Sequence, residues 1–181
     1  MFMLWAIPIG IVAGLLARGR LDNLASFRFR WSWLAVLGLL VQVVLFTPAG
    51  DRFAGGFGPP LYVLSTLGVF VAVLRNIRLP GMAIVAAGAL SNLAAITANG
   101  GFMPTNAAAL AAAGLDGPGD ATNSVVLANP ALQPLTDIFA IPAAWPLANV
   151  FSVGDVLIGV GIVVVLTAAL RRTPDGPAAG R

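Results

Sequence analysis

Five apolar stretches, at about residues 2–17, 31–47, 60–74, 79–98 and 148–170, divide the chain, each bounded by charge or by Pro/Gly clusters. A helix needs roughly 20 mostly apolar residues to cross about 30 Å of hydrocarbon, and inside lipid only helices and closed barrels satisfy their own backbone. The stretches therefore predict an all-α membrane protein, a bundle of five transmembrane helices. Trp5, Trp31, Trp33 and Tyr62 are placed to extend the shorter ones at the lipid boundary. Composition points the same way: 59% of the 181 residues are apolar and 9% are charged, where a soluble domain carries about a quarter charged. No Lys or Arg precedes the first stretch and no A-x-A site follows it, which argues against a cleaved signal peptide.

Charge sets the orientation. Arg18, Arg20, Arg28 and Arg30 follow the first stretch, Arg75 and Arg78 separate the third from the fourth, and Arg171, Arg172 and Arg181 follow the fifth. Arg52 stands alone on the other side, with Asp51, Asp116, Asp120, Asp137 and Asp155. Because cytoplasmic loops retain Arg, this predicts an outer N-terminus and a cytoplasmic C-terminus in a multi-pass protein of a bacterial inner membrane; four or six spans would put an Arg cluster outside. The Ala/Gly/Arg-heavy, Lys-free usage suggests a GC-rich bacterial genome. The isoelectric point near 11.1 is then a topology signal and does not imply a nucleic-acid partner. One transmembrane domain, residues 1–171, is expected, with a Pro/Gly/Ala-rich disordered cytoplasmic tail at 172–181.

Residues 99–147 form an outer cap without a single Lys or Arg. Thr105 is expected to cap a helix over 106–113 that Gly114 stops, and Gly114–Asp120 is a loop by its turn residues. After Val125–Ala128, Pro130, Pro134, Pro142 and Pro146 prevent a long helix and predict short pieces lying on, or re-entering from, the outer face.

The chain has no Cys, His, Lys or Glu. That removes disulfides, ordinary zinc sites, His-based acid–base catalysis, Schiff bases and P-loop phosphate binding; no metal or cofactor is implied. What remains is a short set of polar groups in apolar surroundings, each costly there unless packed or used. Gly88, Ser91, Asn92, Ala95 and Asn99 share one face of the fourth stretch at 100° per residue, read either as close packing or as one wall of an outward-open site. Ala6, Gly10 and Gly14 read as a packing stripe, and Gln42 as an interhelical hydrogen bond. In Asn149-Val-Phe-Ser-Val-Gly-Asp155, Ser152, Asp155 and, further on, Gly159 share a face. A carboxylate there needs a partner, a cavity or a proton. Arg52 is the available outer cation for Asp155 or Asp137; without that pair, two carboxylates brought close would share a proton.

Two resemblances attach to these residues. Arg20-Leu-Asp-Asn-Leu-Ala with Phe29-Arg-Trp31, then Asn99-Gly-Gly-Phe-Met-Pro104, Asn123-Ser124 and Pro146-Leu-Ala-Asn-Val-Phe-Ser-Val-Gly-Asp155, resemble an uncharacterised family of small bacterial membrane proteins, a domain of unknown function. Gly88-Ala-Leu-Ser-Asn92, Thr136-Asp137-Ile-Phe139 and Phe151-Ser-Val-Gly-Asp155 are similar, in order, to the motifs around the catalytic aspartates of lipoprotein signal peptidase. That resemblance implies an aspartyl dyad of Asp137 and Asp155, with Asn92 as a supporting donor. Ser152 stands where that family has Asn, and the first outer loop has no N-x-G-A-A-F-like box.

Three readings follow. The first is a non-catalytic membrane protein whose outward-facing site under residues 99–155, with Asn92, Asn99, Asn149, Ser152 and Asp155 as binding residues, takes a lipid-like or hydrophobic ligand or a partner subunit. Membrane lipids and a homo-oligomer are further partners it allows. The second is an intramembrane aspartyl peptidase-like hydrolase using Asp137 and Asp155 as catalytic residues. The third is a small transporter, for which a single near-membrane Asp and no internal repeat offer little coupling.

Overall fold

The computed structural model describes residues 2–115 and 124–172. Seven α-helices are described: α1 Ala6–Leu16, α2 Ser32–Leu45, α3 Pro48–Ala54, α4 Gly58–Arg75, α5 Met82–Ala98, α6 Ala107–Ala112 and α7 Val153–Arg171. Four short strands, β1 Met103–Pro104, β2 Ser124–Val125, β3 Phe139–Ile141 and β4 Asn149–Phe151, pair as β1–β2 parallel and β3–β4 antiparallel.

The long helices pack as an open series. α2 lies on α4, α4 on α5, α5 on α7 and α7 on α1, while α1 and α2 are not packed against each other. Small residues set the close crossings, because removing Cβ lets backbones approach. Ala6, Gly10 and Gly14 are buried, and a Cβ on Gly10 would come within 2.9 Å of Leu166 Cδ1 of α7, so the expected packing stripe is a packing stripe. Gln42 Nε2 donates to Thr66 Oγ1 at 3.3 Å, the interhelical bond expected of it.

Two helical runs, Pro48–Arg75 and Val153–Arg171, are long and apolar enough to cross a membrane. The other apolar helices, Phe2–Leu16, Ser32–Leu45 and Met82–Ala98, are shorter; the 14 residues of α2 reach about 21 Å at 1.5 Å per residue. Large apolar side chains nonetheless face outward on the bundle, among them Leu16, Trp33, Val43 and Leu64.

At one end of the bundle the arginine-bearing segments come together. Arg20 N donates to Leu170 O, Asn23 Nδ2 to the same carbonyl at 2.6 Å, and the Arg75 guanidinium lies 5.7 Å over the Trp31 ring. Asn76, buried at the end of α4, accepts from Arg30 N at 2.8 Å and donates to Arg30 O and Ala72 O. Asn76→Ala would leave both Arg30 backbone groups without this partner, and we expect a loss of about 2–3 kcal/mol. Thermal unfolding of the purified variant, with the exposed Thr97→Ala as control, reads the difference.

Four sequence expectations change. The fifth apolar stretch does not become helical at 148: residues 149–151 are β4, and α7 starts at Val153 because Ser152 and Asp155 form a capping box. Thr105 does not cap the cap helix. Asn106 does, accepting from Ala108 N and Ala109 N, since Thr105 is extended in a parallel bridge with Asp137. Tyr62 is buried, edge-on to Phe46 at 5.1 Å, where a boundary position was expected. The cap is short strands and turns as well as helix, its Pro residues breaking anything longer. Gly114, at φ +68, ends α6 as expected. The rest of the loop predicted through Asp120, and nearly all of the predicted tail, lie outside the described residues.

Candidate functional site

A cavity of about 420 Å³ lies between α2, α4, α5 and α7 under the cap. Its lower walls are apolar, with Val69, Val73, Val85, Ile158 and Ile162; its polar groups are Gln42, Tyr62, Thr66, Asn92, Asp137 and Asp155. Both aspartates expected to matter therefore face one space, although 17 residues of cap and strand separate them in sequence.

Asp155 is placed by the start of α7. The Ser152 backbone N–H donates to Asp155 Oδ2 at 3.0 Å, and the Asp155 N–H donates to Ser152 Oγ at 3.1 Å. Asn92 of α5 closes a ring: its Nδ2 donates to Asp155 Oδ1 at 2.8 Å and its Oδ1 accepts from Ser152 Oγ at 2.9 Å. The ring depends on two glycines. A Cβ on Gly154 would collide with Asn92 Oδ1, and one on Gly88 with the Gly154 carbonyl. Each member of the ring thus uses the others, so the three side chains hold one orientation.

Asp137 comes from the cap. Its N–H donates to Pro104 O at 3.0 Å, and its carbonyl accepts from Asn106 N–H at 3.0 Å, which pins it beside Thr105. Burial raises its carboxyl from 3.8 to about 7; the negative charge of Asp155 adds to the rise, while the amino-terminal charge and the Thr105 hydroxyl pull the other way. It therefore holds its proton well above the usual carboxylate range. Arg52 is exposed, and among the described residues neither Asp137 nor Asp155 is paired with an arginine; the ion pair there is Arg20–Asp22, on the surface.

Asn92, Asp137 and Asp155 are thus brought to the cavity, with Ser152 buried directly behind them. Asn99 and Asn149 do not line it. Asn99 exchanges hydrogen bonds with Ala131 N and O at 2.9 Å and so ties the cap to the end of α5, and Asn149 pairs with Ile141 in the hairpin. Gly88 and Ala95 are buried, and Ser91 is not among the lining residues. Sequence reasoning missed Thr66, Thr105 and Met103. For Thr66 a signal existed, since Tyr62 and Thr66 are polar residues four apart on one helix face in an apolar stretch; Thr105 and Met103 gain their positions from the β1–β2 and Thr105–Asp137 pairings, which have no local signature.

The arrangement supplies an apolar slot ended by two carboxyl groups of different surroundings, the type of set that performs general acid–base chemistry on water. Among curated proteins and among solved structures nothing matches the chain. The family model that does match covers residues 26–167, which takes in Asn92, Asp137, Ser152 and Asp155, and the chain belongs to this family of unknown function, DUF5317.

Proposed function

We propose that this chain is a multi-pass protein of the bacterial inner membrane, with its N-terminus outside, and that it hydrolyses an amphiphilic molecule held in the inter-helix cavity, using Asp137 and Asp155. The observation that carries the reading is that two carboxyls, without an arginine partner among the described residues, line one cavity, and burial raises the proton affinity of one of them. The order of the motifs around Asn92, Asp137 and Asp155, similar to lipoprotein signal peptidase, supports it. So do the arginine segments gathered opposite the cap and the apolar exterior.

In this mechanism Asp155, fixed by Asn92 and Ser152, takes a proton from a water as its oxygen bonds to a substrate carbonyl carbon. Asp137 gives its proton to the carbonyl oxygen. The tetrahedral intermediate then collapses, the bond to the leaving nitrogen or oxygen breaks, that atom receives the proton from Asp155, and Asp137 regains its own. Since Asp137 must be protonated to act as the acid, turnover should fall about tenfold per pH unit above about pH 7.

The test is cleavage of a fluorogenic lipopeptide by the purified full chain, with Asp137→Asn and Asp155→Asn as comparisons. Turnover that needs both carboxyls supports the hydrolase. Binding with no turnover in the unsubstituted chain overturns it and leaves the second reading, a binding protein for the same class of molecule, which the hydrogen bond already accepted by each Asp155 oxygen favours.

A further inference from the structure

The cavity has walls on α2, α4, α5 and α7, and its side toward α1 is different. α1 packs on α7 and α2 packs on α4, but the two end helices of the series do not close on each other. Among the described residues, Met3, in the turn before α1, lines the cavity from that side, and Leu39 of α2 lines it as well. Both residues line the cavity and both are exposed, Met3 by 38% and Leu39 by 52%. Exposed lining residues beside the two helices that leave the series unclosed point to this apolar flank as the place where the cavity reaches the surface.

The shape of the space says what fits. From Tyr62 to Val73 it follows α4 for eleven residues, about 16 Å at 1.5 Å per residue. A methylene fills about the same volume as a liquid water, roughly 30 Å³, so 420 Å³ holds roughly fourteen methylenes. That is one acyl chain and leaves no room for a second. The polar groups gather at the end nearer the cap, with Asn92, Asp137 and Asp155, while Val73, Val85 and Ile162 form the far end. Midway, Gln42 donates its amide to Thr66, whose hydroxyl already donates to Tyr62 O.

We infer that a single acyl chain of a bilayer amphiphile enters sideways between α1 and α2, past Met3 and Leu39, and lies with its end at Val73, Val85 and Ile162 and its polar linkage toward Asp137 and Asp155. This rests on the membrane reading and names the substrate class of the same site: a molecule with one insertable fatty chain, drawn from the lipid and not from water. Leu39 is then a gate-lining residue that selects by width.

The probe is a palmitoyl lysophosphatidylcholine carrying a diazirine near the chain end, supplied in phosphatidylcholine vesicles holding the full chain. On irradiation, labelled peptides should contain Val73, Val85 or Ile162. Leu39→Trp, a larger side chain at an already exposed position, should reduce that labelling about tenfold, while Leu37→Trp, equally exposed but not lining the cavity, should leave it unchanged. Labels confined to outward residues such as Val12 or Val43 overturn the inference, as does cavity labelling that Leu39→Trp leaves intact. Asp155→Asn must still be labelled. Labelling without any lipopeptide turnover removes the hydrolase and keeps this inference; turnover without cavity labelling does the reverse.

Discussion

Asp137→Asn should raise thermal stability at pH 8–9, while Asp155→Asn should lower it, although both replace a carboxylate by its isosteric amide. Asp137 has a folded-state value of about 7 against 3.8 as its ordinary one. The folded state therefore holds the proton more tightly than the unfolded state, and stability falls as pH rises from about 4 through 7. Above that window the cost of the buried charge is at most about 4 kcal/mol, at 1.36 kcal/mol per unit. An amide carries no such charge, so the gain from Asp137→Asn should vanish at pH 4. Asp155 behaves in the opposite way because its two oxygens each accept a hydrogen bond, from Asn92 Nδ2 and from Ser152 N–H. An amide in either flip turns an NH2 group toward one of those donors, and the lost bond with its unsatisfied donor costs about 1–3 kcal/mol. Unfolding followed at pH 4, 7 and 9 separates the two; a stabilisation by Asp137→Asn that is the same at every pH would refute the assignment of the proton. In turnover both variants should lose about 10²- to 10⁴-fold.

The second large effect is steric. Gly154→Ala should cost about 3 kcal/mol, the upper range for overpacking, and abolish turnover without touching a carboxyl. The added methyl would meet Asn92 Oδ1 and the Gly88 carbonyl, and the latter is backbone that cannot swing aside. Asn92 would have to leave Asp155 and Ser152, and α5 would have to move off α7. Gly68→Ala is the control, because there the new methyl meets Leu34 Cδ1 at 3.5 Å, an ordinary contact, and no catalytic contact is near. Equal melting temperatures for the two variants would show that the α5–α7 crossing is not as tight as these distances require.

The location of the carboxyl pair was only half legible beforehand. Asp155 declared itself as a charge opening an apolar stretch, and Asn92 as an amide within one, since the cost of burying either without a partner is visible from sequence. Asp137 lies in the cap, where no periodicity operates. It reaches the cavity through a single parallel bridge to Thr105, and Thr105 is held there by the β1–β2 pairing. The expectation that Thr105 would cap a helix failed for the same reason: the long-range bridge took the residue, and the cap passed to Asn106. Asn99, grouped by helical angle with Asn92, went instead to the cap chain at Ala131.

Local physics read from the residues alone determined the helical class, the Gly and Ala packing stripe of α1, the gathering of arginines at one end and the absence of thiol, imidazole or amine chemistry. Hydrophobic periodicity, small side chains and charge act over a few residues, so the chain itself carries them. Tertiary structure alone decided that the helix series stays open between α1 and α2, that Tyr62 turns inward, and that Asp137 and Asp155 face one cavity. Those outcomes depend on which surfaces meet across long stretches of sequence, and apolar stretches so alike in composition do not encode in their own residues which neighbour each will choose.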